Sequence, residues 1–504
     1  MRRVISAVLL FLPAILAAQT PAQRRAAATI TEADVKSRVF IIAHDSMGGR
    51  NTPSPGLDKT ADYVASEFKR LGLKPGGDSG TFLQRYPIRQ TRIDTSASEV
   101  AITTPEGRAR LGLARDAAFF FGAVKSGRWP VVLVGGPLDS ANPNPGTFRG
   151  KAAIWFPDSK LGLQAIRQSL RFLTRGGAEA VLIATGSDSL VNAQIAAQGR
   201  TRQTVGEGTG VTWLLARSSV LTGQLPQARE AVEQVQNATG FTARPLDGWN
   251  VTLSLEEQVL QEVKVPNTVG VLEGTDPQLK NEYIVFSAHM DHVGIGRPPQ
   301  NQPADAPVDT IFNGADDDAS GTVGIIELAE AFAQPGARPK RSLIFLTVSG
   351  EEHGLWGSEW FAKYPPVPID RIVANLNADM IGRNWKDTIV VIGKEHSDLG
   401  QTLARVNQAH PELNMTAIDD LWPEQSFYTR SDHFNFARRG VPVLFFFNGT
   451  HADYHRPSDE PEKIDAEKEA RIVQLMFWLA TEIGNAPERP RWDPASYTRY
   501  VTQP

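Results

Sequence analysis

The chain has 504 residues, of which 41% are hydrophobic and 21% charged, and its net charge is −4. That length exceeds one compact core, and the small net charge gives no electrostatic reason to expect nucleic acid or an anionic membrane as partner. Cysteine is absent, which excludes disulfides, a thiol nucleophile and thiolate metal ligands, so any metal must be held by nitrogen and oxygen.

Arg2 and Arg3, the apolar run VISAVLLFLPAILA and the small pair Ala17-Ala18 read as a signal peptide over residues 1–18. The run is too short and too Pro-interrupted to be a good membrane span, so the mature protein is expected to be exported, periplasmic or extracellular, with no integral membrane span; an uncleaved anchor is the alternative. A mobile segment is expected over 19–35. The stretches TEADVKSRVFIIAHDSMGGR and GLDKTADYVASEFKRLGLKPGG then predict two helices joined by a glycine-rich turn. In the second, Ala61, Val64, Ala65, Phe68 and Leu71 recur at helical spacing and Gly72 closes the helix. The strand TFLQRYPIRQTR leads out of this region.

Between 94 and 260 the texture changes to short strands, among them SEVAITT, WPVVLVGGP, GKAAIWFP, EAVLIATG and GVTWLLA, with one amphipathic helix expected within LQAIRQSLRFLTRGGAEAVLIA. The segment has no histidine, so it is read as a β-rich insert that shapes access and does no chemistry. Regular α/β alternation resumes at 261 and runs to a final helix at about Ala466–Ile483, followed by a Pro-rich tail over 487–504. The expected architecture is α/β, a mixed, mostly parallel central sheet flanked by helices, built from 36–93 and 261–486.

Five knots of His, Asp and Glu organise that second part: FSAHMDH (286–292), NGADDDASG (313–321), VSGEEHG (348–354), NADMIG (377–382) and YHRPSD (454–459). Most adjoin apolar runs that read as buried strands, and an open α/β sheet places its ligand crevice at strand carboxyl ends. Eight of the nine histidines fall between His289 and His455, which concentrates imidazole where the acids cluster. Asp291 can hold the second ring nitrogen of His289, as carboxylates do for metal-bound imidazoles. Asp316, Asp317 and Asp318 repel one another unless cations or a helix N-terminus relieve them. One capping aspartate with two solvated neighbours would also account for the triplet, whereas the spacing of a calcium loop is missing. Glu351 and Glu352 permit a division of labour, one holding metal and the other moving a proton.

In this order, HMD, GADDDASG, SGEEHGLWGS, NADMIG and YHRPSD resemble the signature of the M28 family of co-catalytic zinc exopeptidases, which includes aminopeptidases and glutamate carboxypeptidases. The insert is similar, more loosely, to a protease-associated domain. The resemblance implies a sheet of the zinc-exopeptidase type and two Zn²⁺ ions, and carboxylate and imidazole ligands without thiolate suit zinc while not excluding Mn²⁺ or Co²⁺. It implies that His289 and Asp379 hold one ion, Glu352 and His455 the other, and that Asp317 bridges them. Glu351 would be the general base, Asp291 would orient His289, and Tyr454 would stabilise an oxyanion. Asp318 stands where the family has asparagine.

The function so implied is hydrolysis of peptides from one end, through a water activated between the ions. An aminopeptidase is favoured because a free amine suits a carboxylate-rich pocket, whereas a terminal carboxylate needs a cationic clamp. Arg383 and Arg430 are the candidate clamp residues near the motifs. The alternatives are a carboxypeptidase of the glutamate type, a glutaminyl-cyclase-like enzyme with one zinc, and a non-catalytic binding protein.

Overall fold

The computed structural model describes residues 19–136, 138, 147–157, 169, 170, 172–206, 210–224, 229–296 and 309–502. The expected signal peptide lies outside the described residues, as do residues 163–168 at the start of the helix expected in the insert. No described helix is long and apolar enough to cross a membrane. The chain divides into two compact units, one made of residues up to Tyr86 together with those from Val265 onward, the other of Pro87–Lys264.

The strands lying wholly or partly in the first unit include β1 (Leu83–Ile93), β2 (Glu257–Leu272), β3 (Tyr283–His289), β4 (Ser342–Val348), β5 (Ile372–Ala378), β6 (Thr388–Ile392), β7 (Thr416–Ile418) and β8 (Val443–Phe446). They lie in the order β7-β6-β8-β5-β3-β4-β2-β1. The centre β8-β5-β3-β4 is parallel throughout, and the antiparallel pairs β6/β8 and β2/β4 flank it. The helices are α1 (Pro21–Ala27), α2 (Glu32–Ile42), α3 (Pro55–Arg70), α4 (Gly321–Ala333), α5 (Trp356–Lys363), α6 (Leu399–Ala409), α7 (His433–Ala437) and α8 (Ala466–Asn485).

Every residue of β4, SLIFLTV, is buried, the mark of a strand covered on both faces. Its alternate residues serve two cores. Leu343 and Phe345 join Ile284 and Phe286 of β3 against α2, α4 and α8, where Phe286 stacks on Phe345 at 5.4 Å and Phe332 meets Phe477 at 4.3 Å. Ile344, Leu346 and Val348 face Phe361 of α5, Phe436 of α7 and Phe445 of β8. Each such buried side chain contributes roughly 1.5–3 kcal/mol, so the layers on both faces hold the strand ends in place.

Two expectations need correction. The mobile segment at 19–35 is instead ordered: Thr20 and Gln23 form a capping box, Pro21 opens α1, and Ala26, Ala27 and Ile30 are buried in the first core. The tail wraps onto the first unit, for Trp492 donates to the Gly440 carbonyl at 2.9 Å and Tyr500 lies 4.7 Å from the ring of Tyr428. The insert carries more helix than expected.

The second unit has strands in the order Gly107–Leu111, Glu99–Thr104, Thr242–Ser254, Gly127–Gly135, Ala152–Trp155, Ala180–Thr185, Thr212–Arg217, Ala117–Gly122. Its inner strands from Gly127–Gly135 to Thr212–Arg217 are parallel. Helices Asp188–Gln198, Ser218–Gln224 and Arg229–Gln236 accompany them. Ser187 accepts from Leu190 N–H at the first of these helices, a cap that the polar-looking sequence SDSLVNAQ conceals.

Candidate metal centre

Because β8, β5, β3 and β4 run in one direction, their carboxyl ends share one edge of the sheet. β3 ends on His289, β4 is followed by Ser349-Gly350-Glu351-Glu352, β5 by Asp379, and the loop after β8 carries Tyr454 and His455. Two non-glycine residues there adopt left-handed backbone, Met380 at φ 56° and His455 at φ 54°. Such conformations cost about 1–3 kcal/mol and persist where surrounding structure enforces them. Gly350 has φ +73°, and a Cβ there would press on Tyr86 and Trp356, so only glycine brings the Glu351 backbone this close.

The three adjacent aspartates point to three different partners. Asp316 accepts from Gly382 N–H at 2.7 Å and lies 3.2 Å from His451 Nε2. Asp318 is an acceptor on both sides, with Oδ1 taking Gly321 and Met380 N–H and Oδ2 taking His289 N–H at 3.0 Å. An asparagine could serve only one of those sides, because its amide nitrogen would face a donor. Asp317 faces the strand ends, its Oδ1 3.2 Å from His289 Nε2 and its Oδ2 3.1 Å from His455 Nε2.

Around Asp317 the ligating atoms of His292, Glu352 and His455 gather with it within 4.8 Å of one another, and those of His289, Glu351 and Asp379 form a second such group. His289 Nε2 is 3.6 Å from Asp379 Oδ1, and His455 Nε2 is 3.1 Å from Glu352 Oε2. His292 Nδ1 lies 2.9 Å from Glu352 Oε1, yet these two atoms, His292 Nε2 and His455 Nε2 make no hydrogen bond of sound geometry among the described residues. Buried polar atoms without partners are costly, and imidazole nitrogens turned toward carboxylates at these separations suit shared cations. The donor set, nitrogen and oxygen without sulfur, fits zinc.

Without cations the imidazoles supply the positive charge. Burial lowers the His289 pKa, but Asp318, Asp379 and Glu351 outweigh it and raise it well above the usual value. For His455 burial is likewise outweighed, by Asp317 and Glu352, and the pKa rises to about 10. Burial would raise Asp317, yet His292, His289 and His455 hold it well below the ordinary carboxylate range. Glu351 moves the other way: burial, with Asp432, Asp379 and Glu352 adding to it, pushes its carboxyl well above the usual range despite His289. For Glu352 burial and Asp317 are outweighed by His292 and His455, and its pKa falls to about 2; neighbouring glutamates driven apart in this way are the pattern of divided acid–base labour. Burial also raises the Tyr454 phenol, whose ring stacks on His455 at 3.9 Å.

Asp291 orients His289 differently from expectation. The nearer acceptor of His289 Nδ1 is the Asp291 main-chain oxygen at 3.1 Å, while the carboxylate stands 3.8 Å away. That carboxylate accepts instead from Thr52 Oγ1 at 2.9 Å and Glu351 N–H at 3.2 Å, because the chain turns just after β3. Asp291 therefore links the first knot to the third.

Several supporting residues went unread in the sequence. Ser431 Oγ donates to Asp379 Oδ2 at 2.8 Å and accepts from Asn377, which accepts from Ser287 at 2.6 Å. Asn375 and Asn377 alternate with apolar residues in buried β5, a spacing that marks polar groups sharing one face. Arg50, fully buried, donates to the carbonyls of Met290 at 2.9 Å, Ile42 at 3.0 Å, Asn313 at 2.6 Å and Gly314 at 2.9 Å. His292, adjacent to the H-x-D motif, was readable as a third imidazole.

A partly open cleft lies at this edge, lined by His289, Asp317, Glu351, Glu352, Asp379 and Tyr454 together with Phe427, Phe445 and Phe447. Arg430 lines it too. Arg383 does not: it pairs with Asp453 at 3.0 Å and stands 3.8 Å from Asp459, so its charge is already matched.

Residues 267–480, which include every member of the two groups, match the profile of Peptidase family M28. The chain carries an M28 peptidase domain. Over 274 residues this protein is 29% identical to a probable zinc metalloprotease of Pyricularia oryzae, covering 45% of this chain and 52% of that one. A probable leucine aminopeptidase of Trichophyton verrucosum is 28% identical over 51% of this chain and 66% of its own. The chain thus spans between about half and two thirds of these relatives. Among solved structures, an aminopeptidase from Aneurinibacillus sp. strain AM-1 is 18% identical at a TM-score of 0.48, covering 94% of this chain and 98% of that one.

Proposed function

We propose that the chain is an exported di-zinc exopeptidase, an aminopeptidase that releases N-terminal residues from peptides. The observation that carries this reading is Asp317, buried with one oxygen 3.2 Å from His289 and the other 3.1 Å from His455. In this assignment His289 and Asp379 hold one ion, Glu352 and His455 the other, and Asp317 both, with His292 beside the second. Zinc bound there would polarise the scissile carbonyl and acidify a water.

The protein's own groups do the rest. Glu351 takes the proton of the attacking water and delivers it to the leaving nitrogen. Tyr454, kept as the phenol, donates toward the developing oxyanion. Asp291 holds His289 through its carbonyl and Glu351 through its carboxylate. The histidine-free insert is read as a protease-associated-like module that does no chemistry.

The amino end is favoured because four carboxylates line the cleft against one arginine among the described residues, a balance that attracts an ammonium. The names of the metalloprotease and leucine aminopeptidase relatives support the same class. Acetylating the N-terminus of a good peptide substrate is expected to abolish cleavage, while amidating its C-terminus leaves it a substrate. The reverse pattern would make the enzyme a carboxypeptidase.

A further inference from the structure

Arg430 is the sole arginine or lysine lining this acid-rich cavity among the described residues. It is exposed, and its guanidinium lies over the Phe427 ring, 4.6 Å from the centroid. No carboxylate pairs with it among the described residues, in contrast to Arg383. The ring beneath it is fixed, since Phe427 packs on Phe447 at 4.8 Å and on Trp422 at 5.8 Å. Its neighbour Ser431 is hydrogen-bonded to Asp379, so the Arg430 backbone keeps a set position relative to the site. A stacked guanidinium keeps its N–H edge available, and that edge suits a carboxylate bidentately.

We infer that Arg430 reads the C-terminal carboxylate of short substrates, so that dipeptides are the preferred class. This inference rests on the aminopeptidase reading above. The carboxylate of a dipeptide lies one residue past the scissile bond, and each further residue moves it by roughly 3.5 Å. Arg430 and the acids line one cleft, tied together through Ser431 and Asp379, so only a short substrate presents its terminal carboxylate to the guanidinium while its amine sits among the acids. A longer peptide carries that charge out of reach. An acidic second side chain offers the same chemistry and is the competing source.

The test compares leucyl-glycine, leucyl-glycinamide and leucyl-glutamic acid diamide, the last carrying its amine free and both its carboxyls blocked, with leucyl-glutamyl α-amide, in which only the side-chain carboxylate remains. For the wild-type enzyme, kcat/KM is expected to fall about tenfold or more from leucyl-glycine to leucyl-glycinamide, chiefly through KM. Neither glutamyl substrate should recover it. In Arg430→Met the ratio between the two glycyl substrates should approach one, and Arg430→Lys should restore part of it. Zinc content and Tm of both variants show whether the domain has been disturbed, which a changed substrate ratio alone would not reflect. Equal kcat/KM on the two glycyl substrates in the wild type would overturn the inference and leave the aminopeptidase reading standing. Recovery by the α-amide alone would assign Arg430 to an acidic side chain and overturn the dipeptide preference. Cleavage of none of the four would overturn both readings.

Discussion

Glu351→Gln is expected to lower kcat by roughly two orders of magnitude or more, the usual worth of a positioned general base, while zinc content is unchanged. The carboxamide nearly preserves shape but cannot accept and return a proton. Structure makes the second half of this prediction the sharper one. The ligating atoms of Glu351 gather with those of His289 and Asp379, so the same side chain is close enough to be a ligand instead. Metal analysis of the variant separates the two roles. A lost zinc would make Glu351 a ligand and transfer the base to another carboxylate, and near wild-type turnover would remove it from the chemistry.

Arg50→Met is expected to produce the largest loss of stability, about 3 kcal/mol or more. One buried guanidinium satisfies four carbonyls, on Ile42, Met290, Asn313 and Gly314. Three of these belong to the loops that carry His289 and Asp317. Burial pulls its pKa down to about 10, with Asp317, Asp291, Asp318 and Asp459 resisting the fall, so it remains charged at neutral pH. Methionine leaves the carbonyls without donors and the aspartates without their counter-charge. The denaturation midpoint should drop accordingly, and zinc should bind less tightly as the two loops loosen. A variant with unchanged midpoint and zinc affinity would show that the loops are held by other contacts.

What the sequence disclosed, and what it did not, follows from the range of each signal. An all-apolar run such as SLIFLTV states its burial locally, so β4 and its neighbours, and the chemistry at their ends, were legible. The triplet Asp316-Asp317-Asp318 was legible as a cluster only. Which acid faces the imidazoles depends on where Gly382, His451 and the amides of His289 and Met380 arrive, and these come from remote segments. Resemblance, not spacing, singled out Asp317. Arg50 left no trace, since its four acceptors are main-chain oxygens up to 264 positions away in the chain. Arg383 and Arg430 looked alike in sequence. Only the placement of Asp453 and Asp459 separates the neutralised arginine from the one on the cavity wall. β6 and β7 were missed because short elements such as TIVVI and TAI carry too few residues for a period to emerge.

The central claim is that Asp317 is shared by two ions. Counting zinc per chain, in protein stripped with chelator and then titrated with the metal, tests it most directly. Two equivalents bound per chain are predicted, with Asp317→Ala binding at most one tightly. Saturation of the wild type at a single zinc would contradict the account and favour the one-zinc cyclase alternative.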